Sequence, residues 1–264
     1  MVYISHGGGP WPIMGDARHV NLIEFLQELP SSLISPAAIL LISAHWEERV
    51  PTIQSGARPE LYFDYYGFPE ETYRYTYPAP GAPELAGKLF TLLADAGFTP
   101  ALDGKRGFDH GMFVPLMLMY PEAAIPCLQL SLCNSLEPRR HIDVGRAIAG
   151  LRDENILIIG SGSTFHNLPA FREPPTRATK KLNAGFESWL RDTLTSDRIS
   201  EDQRRERLTA WDLAVGARYC QPREEHLLPL HLCYGIAGAP ADRVIEVEYM
   251  DRTTSMYIWA DPHL

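Results

Sequence analysis

The stretch that most constrains this chain is residues 37–46, AAILLISAHW, in which an unbroken apolar run ends at Ser43, Ala44 and His45. A short run of this kind, rich in Ile and Leu, suits a strand covered on both faces, although periodicity alone leaves a buried helix segment open. The arrangement recurs twice. VYIS (residues 2–5) runs into His6, and ILIIGSGSTF (residues 156–165) runs into His166. In open α/β sheets, ligands sit outside the carboxyl ends of the strands, where loops converge on a crevice that the strands hold rigid. Three expected strand ends therefore each deliver an imidazole.

The segments between them fill in an α/β pattern. Residues 17–29 place Val20, Ile23, Phe25, Leu26 and Leu29 at helical spacing, with Pro30 as a stop. If the strands on either side pair in parallel, the right-handed crossover brings His6 and His45 to one edge. Residues 51–77 carry eight Tyr and Phe side chains with little periodicity. They read as a long loop with short strands, whose rings either cover the core or form a wall for a flat ligand. Residues 82–96 form a helix with Pro83 in its first turn and Gly97 beyond its end. A helix is also expected over 112–120, with Pro115 best accommodated in the first turn. His110 would stand at its N-terminus, either as a turn cap or as a neutral imidazole that donates one hydrogen bond and accepts another. A strand over 125–132, a helix over 139–151 and helices over 176–194 and 200–219 follow. Then come a helix start over 222–230 and closing strands at 244–249 and 255–259. The fold class implied is α/β, one domain over 1–264, with a central mostly parallel or mixed sheet flanked by helices and a site at the strand C-terminal ends.

Composition narrows the partners. At 264 residues and 45% hydrophobic, the chain can bury one ordinary core. Its formal charge of −9 argues against nucleic acid, whose binding rests on clustered Lys and Arg, and in favour of a small molecule. No run approaches the length of a membrane span and no leader pattern opens the sequence, so the cytoplasm is the expected location. The four cysteines, Cys127, Cys133, Cys220 and Cys233, show no CxxC pairing and read as buried or free thiols.

Of nine histidines, His19, His141, His231 and His263 fall on expected helix faces or at the terminus and read as structural. His6, His45, His110, His166 and His226 lie at element ends beside Gly, Ser or Pro turns, where side chains converge on clefts. Their spacing is neither that of a zinc finger nor HExxH, so spacing alone leaves a long-range metal site as one alternative beside structural histidines.

Six strings occur in order: SHGGGP (5–10), SAHW (43–46), YPAPGAP (77–83), GFDHG (107–111), FHN (165–167) and EHLLPL (225–230). Together they resemble the LigB superfamily of class III extradiol ring-cleaving dioxygenases, in the branch similar to 4,5-DOPA dioxygenases, over nearly the whole chain. The resemblance implies a mononuclear non-haem metal at the strand ends, held by His6, His45 and His226. It implies that His166 is either a fourth ligand or an acid/base beside the metal, and that His110 is a second-sphere residue near substrate. The wider superfamily often has a carboxylate where His226 stands; Glu224 and Glu225 are neighbours ranked below it.

Neutral imidazoles suit Fe(II) and Zn(II) alike, so the ligands do not name the metal. Fe(II) is expected for activity, since redox-inert zinc could fill the site without running the oxidation. The implied reaction opens a catechol, DOPA-like or otherwise substituted, with O2. Three ligands leave room for both substrates where four would crowd them, so His166 is expected off the iron and moving protons. Two alternatives share the residues: a zinc hydrolase with a metal-activated water, and a Memo-like non-enzymatic binding protein. Arg106 and Arg252 are candidates for an acidic substrate tail.

Overall fold

The computed structural model describes residues 1–260. Its eight strands form one mixed sheet, and in chain order they are β1 (Val2–Ser5), β2 (Ala38–Glu48), β3 (Thr52–Gln54), β4 (Ala101–Asp103), β5 (Cys127–Cys133), β6 (Ile156–Gly162), β7 (Arg243–Tyr249) and β8 (Arg252–Ile258). The spatial order is β4-β3-β5-β2-β6-β1-β8-β7. β1 and β2 are not neighbours, as the simplest strand-helix-strand reading supposed; each pairs in parallel with β6, which lies between them. The consequence for the site is unchanged, because three parallel strands still end at one edge. β8 runs antiparallel to β1 and makes a hairpin with β7, so the sheet is mixed.

The central strands read as continuous apolar runs because both of their faces are covered. Ile39 and Leu41 of β2 enter one core layer, with Leu26, Phe113 and Leu116, while Leu40 and Ile42 enter the opposite layer with Leu89, Leu228 and Leu232. The helices supplying these layers are α1 (Val20–Glu28), α2 (Pro83–Asp95), α3 (His110–Met119), α4 (Pro138–Ala147) and α8 (Leu228–Ala237). A third cluster, around Phe186, Leu190 and Trp211, joins α5 (Arg177–Thr195) to β8.

Three expectations about helices are corrected. Residues 200–219 are not one helix: α6 (Glu201–Thr209), capped by Ser200 and Gln203, gives way to a 3-10 turn, and α7 (Ala217–Cys220) restarts after Gly216 at φ +81°. Pro30 does not stop the first helix outright, because a 3-10 turn over Leu29–Ser32 carries it on. Pro115 lies in the middle of α3 and not in its first turn, which begins at His110. All four cysteines are buried and free. His263 lies outside the described residues.

Candidate metal centre

Each of the three β1, β2 and β6 edges contributes a histidine, by different means. His6 follows β1 directly, and its N–H donates to Gly162 O of β6. His45 is not at a strand end: β2 continues to Glu48, and the pairing of β2 with β5 shifts register between Ile42 and Glu47. A bulge of this kind re-aims a side chain without ending the strand. The irregular segment is held from below: His45 N–H donates to Ser43 Oγ (3.1 Å), and Ser43 Oγ–H donates to the buried Asp109 Oδ1 (2.7 Å). Arg106 Nη2 donates to both Asp109 Oδ2 and His45 O, with its guanidinium over Trp46 and Tyr62. The GFDHG string is thus a brace for the SAHW string.

His226 sits two residues before α8, in turns where a helix start was expected. Its carbonyl accepts from Tyr3 OH (2.9 Å) and Ser163 N–H (3.0 Å). That approach requires glycine in β6, since a Cβ on Gly162 would lie 2.0 Å from His226 O.

The three rings present Nε2 to one another: His45 Nε2 is 3.0 Å from His6 Nε2 and 3.2 Å from His226 Nε2. An ion about 2.1 Å from each nitrogen sets neighbouring ligands about 3.0 Å apart at right angles and about 3.4 Å apart at tetrahedral angles. The observed separations fall in that span. The other ring nitrogen decides the tautomer, and in all three rings Nδ1 has an acceptor. His226 Nδ1 faces Glu225 Oε1 (3.1 Å), and His45 Nδ1 is 3.3 Å from Asp64 Oδ2.

His6 Nδ1 is 2.9 Å from Ser161 Oγ, and here the polarity is fixed by a proline. Pro115 has no N–H to give the carbonyl four residues earlier. That carbonyl, Gly111 O, takes the Ser161 hydroxyl proton instead (2.5 Å). Ser161 Oγ is left as the acceptor for His6 Nδ1–H, so His6 Nε2 keeps a bare lone pair. Bare Nε2 lone pairs then crowd together, His45 Nε2 within 3.2 Å of both others, which is repulsive without a cation and suited to a metal ion. Burial, reinforced by the neighbouring imidazoles, holds His6 and His226 well below the usual histidine range; burial and His110 do the same for His45. All three rings are therefore neutral at pH 7, the form a metal ion would require of them.

The other two candidates flank this trio. His166 stacks on His226 with ring centroids 3.3 Å apart and planes 15° from parallel, and its Nδ1 is 3.2 Å from Glu225 Oε1. His110 packs against His45 with centroids 3.9 Å apart; its Nδ1 is 2.7 Å from Asp64 Oδ1, which also accepts the His110 N–H. Each of two carboxylates thus straddles one member of the trio and one flanking histidine. Burial would raise Asp64, but hydrogen bonds and charge from His110 and His45 bring it down to about 2. Burial would raise Glu225 too, but His166, a backbone hydrogen bond and the charge of Arg223 together lower it.

The sequence reading missed Asp64, which lies in the aperiodic aromatic loop, and treated Glu225 only as a rival ligand; its position beside His226 was the available signal. Of the discounted histidines, His19 holds the glycine turn through Gly8 N–H, and His141 and His231 bond backbone groups.

All five histidines line a cavity of about 380 Å³, walled also by the 7–9 glycine turn, Trp11, Tyr65 and Phe68. The aromatic stretch serves both suggested ends: Tyr65 and Tyr77 are in the core, while Tyr65, Tyr66 and Phe68 face the cavity. Neither arginine proposed for an acidic tail lines it. Arg106 is committed to the His45 brace, and Arg252 is buried, donating to Ala170 O and Glu173 O.

A family model described as the catalytic LigB subunit of aromatic ring-opening dioxygenase matches residues 1–258. The chain belongs to the LigB family. This LigB member is 42% identical over 241 residues to the 4,5-DOPA dioxygenase extradiol of Beta vulgaris, covering 89% of this chain and 86% of that one. It is 36% identical to the dioxygenase tasH of Hapsidospora irregularis, over 98% of this chain and 85% of that one. An uncharacterized protein from Escherichia coli K12, solved by crystallography, matches with a TM-score of 0.73 at 30% identity, over 89% of this chain and 91% of that one. The LigB chain is accordingly an extradiol-type aromatic ring-opening dioxygenase with a histidine-rich site able to hold a metal ion. Five of its six strings reach the cavity; YPAPGAP instead supports the sheet edge, where Pro80 O accepts Cys127 N–H. Among the described residues, no helix is long and apolar enough to cross a membrane.

Proposed function

We propose that residues 1–264 form one catalytic domain that opens a substituted catechol, DOPA-like in the first instance, using Fe(II) held by His6, His45 and His226. The observation that carries this reading is the gathering of three Nε2 atoms, with His45 Nε2 3.0 Å from His6 Nε2 and 3.2 Å from His226 Nε2, and a serine or carboxylate oxygen beside each Nδ1. Bound there, iron supplies a redox-active Lewis acid able to bring catechol and O2 together. The remaining roles belong to side chains. Ser161, Asp64 and Glu225 orient the three ligand rings. Tyr65, Phe68 and Trp11 would wall the site with aromatic rings against a flat substrate and exclude water.

His166 is assigned to proton transfer and not to the ligand shell. An imidazole lone pair lies in its ring plane, and the stack on His226, with centroids 3.3 Å apart and planes 15° from parallel, puts the two lone pairs in separate, near-parallel planes, a poor arrangement for binding one ion in the plane of both rings. Glu225, shared by both rings, would steady His166 as it gains and loses a proton between substrate hydroxyl and reduced oxygen. His110, held by Asp64, would contact the other side of the catechol. The family's aromatic ring-opening chemistry supports a role in aromatic catabolism, for which the cytoplasm is the proposed location.

The test is anaerobic reconstitution with Fe(II) or Zn(II), then air and a panel of catechols. Oxygen uptake with a yellow ring-opened product in the iron form alone is expected. No uptake across the panel, or hydrolytic activity confined to the zinc form, would overturn the reading.

A further inference from the structure

We infer that this enzyme selects catechols bearing a carboxylate tail, and that Arg172 is the residue that recognises the tail; the inference rests on the ring-opening reading of the same cavity. Arg172 is the sole Arg or Lys among the described residues lining the histidine cavity, and no Asp or Glu lines it. Among the described residues no carboxylate pairs with its guanidinium within salt-bridge distance, whereas Arg18, Arg106, Arg218 and Arg223 are each paired. A second cavity of about 410 Å³ lies alongside and shares Phe171, Arg172, Tyr249 and Met250 with the first. Arg172 thus stands where a side chain on the ring would leave the metal chamber.

Its backbone is fixed. The 3-10 turn Ala170–Arg172 begins four residues after His166; Asn167 Oδ1 accepts Ala170 N–H (3.1 Å), and Asn167 Nδ2 donates to Tyr219 O (2.7 Å). Below it, the buried Arg252 ties down Ala170 O and Glu173 O. The adjacent Arg252 is spent on structure, which leaves Arg172 as the free fork matched to carboxylate geometry. A chain of charge −9 repels an anionic substrate at long range, so a local cation at the mouth decides whether such a tail is admitted.

The experiment compares 3-(3,4-dihydroxyphenyl)propionate with 4-ethylcatechol, which lacks the carboxylate. Calorimetric titration of the zinc-loaded protein reads binding without turnover, and oxygen uptake by the iron-loaded protein reads kcat and KM. Wild type should bind the acid more tightly. R172M should weaken the acid about tenfold in Kd and KM while 4-ethylcatechol stays within about twofold, and R172K should recover part of the loss. Equal effects on both diols, no effect on either, or no preference for the acid in wild type would overturn the assignment. Arg172-dependent binding without oxygen uptake for either diol would instead overturn the ring-opening reading.

Discussion

Ser161→Ala removes the hinge between Pro115 and the candidate metal. In wild type the hydroxyl gives its proton to Gly111 O, which Pro115 leaves free, and accepts from His6 Nδ1 at 2.9 Å. Alanine deletes both bonds in a site where Ser161 is fully buried. Two buried groups then lose their partner, which should lower the stability of the metal-free protein by about 1–3 kcal/mol. His6 also loses the acceptor that fixes its tautomer, and removal of such a partner typically weakens metal binding about 10- to 100-fold, or about 1.4–2.7 kcal/mol. The assay is competition of Zn(II) or Co(II) between protein and a chelator of known affinity, run beside urea denaturation of the apo form. No ligand is touched, so a tight-binding S161A within about twofold of wild type would refute the claim that this hydroxyl sets His6 for coordination.

Asp64→Asn should weaken metal binding through His45 about tenfold or more and lower ring-opening further, because His110 loses the same partner; equal Kd and kcat to wild type would contradict it. His166→Gln should keep stoichiometric metal and catechol binding while kcat falls about 10²- to 10⁴-fold, and a loss of metal would instead make His166 a ligand. Gly111→Ala should cost about 1–3 kcal/mol of stability and disturb the site, since the added Cβ would lie 2.8 Å from Ser43 Oγ and 3.1 Å from the His45 ring. Burial pushes Glu187 up to about 8 against an ordinary 4.5, so the folded chain holds this proton at pH 7 and the unfolded chain does not. Its contribution to stability is therefore complete below pH 4.5 and is lost as pH rises toward 8, at a rate of at most about 1.4 kcal/mol per unit. Denaturation midpoints of wild type minus E187Q, measured from pH 5 to 8, should show that slope; parallel curves would not fit.

The sheet and the five cavity histidines were legible because they depend on local patterns: apolar runs for doubly covered strands, and Gly, Ser or Pro turns where they end. What was not legible depends on pairs distant in sequence. His45 looked like a strand terminus because a bulge has no period of its own; only Asp109, 64 residues away, shows why the strand yields there and then resumes. Pro115 argued for a first turn because its lost hydrogen bond is costly mid-helix, and the compensation comes from Ser161 on another element. Asp64 sits in a loop without periodicity and meets His45 and His110 only after folding. Arg106 and Arg252 were plausible cations for a tail by composition, but the fold binds both to backbone carbonyls.

The central claim is that three imidazoles, and not four, share one ion. X-ray absorption on the anaerobic iron protein with catechol bound measures this directly. The account requires one iron per chain with three imidazole ligands and oxygen donors from the diol; four imidazoles, or no stoichiometric iron, would contradict it.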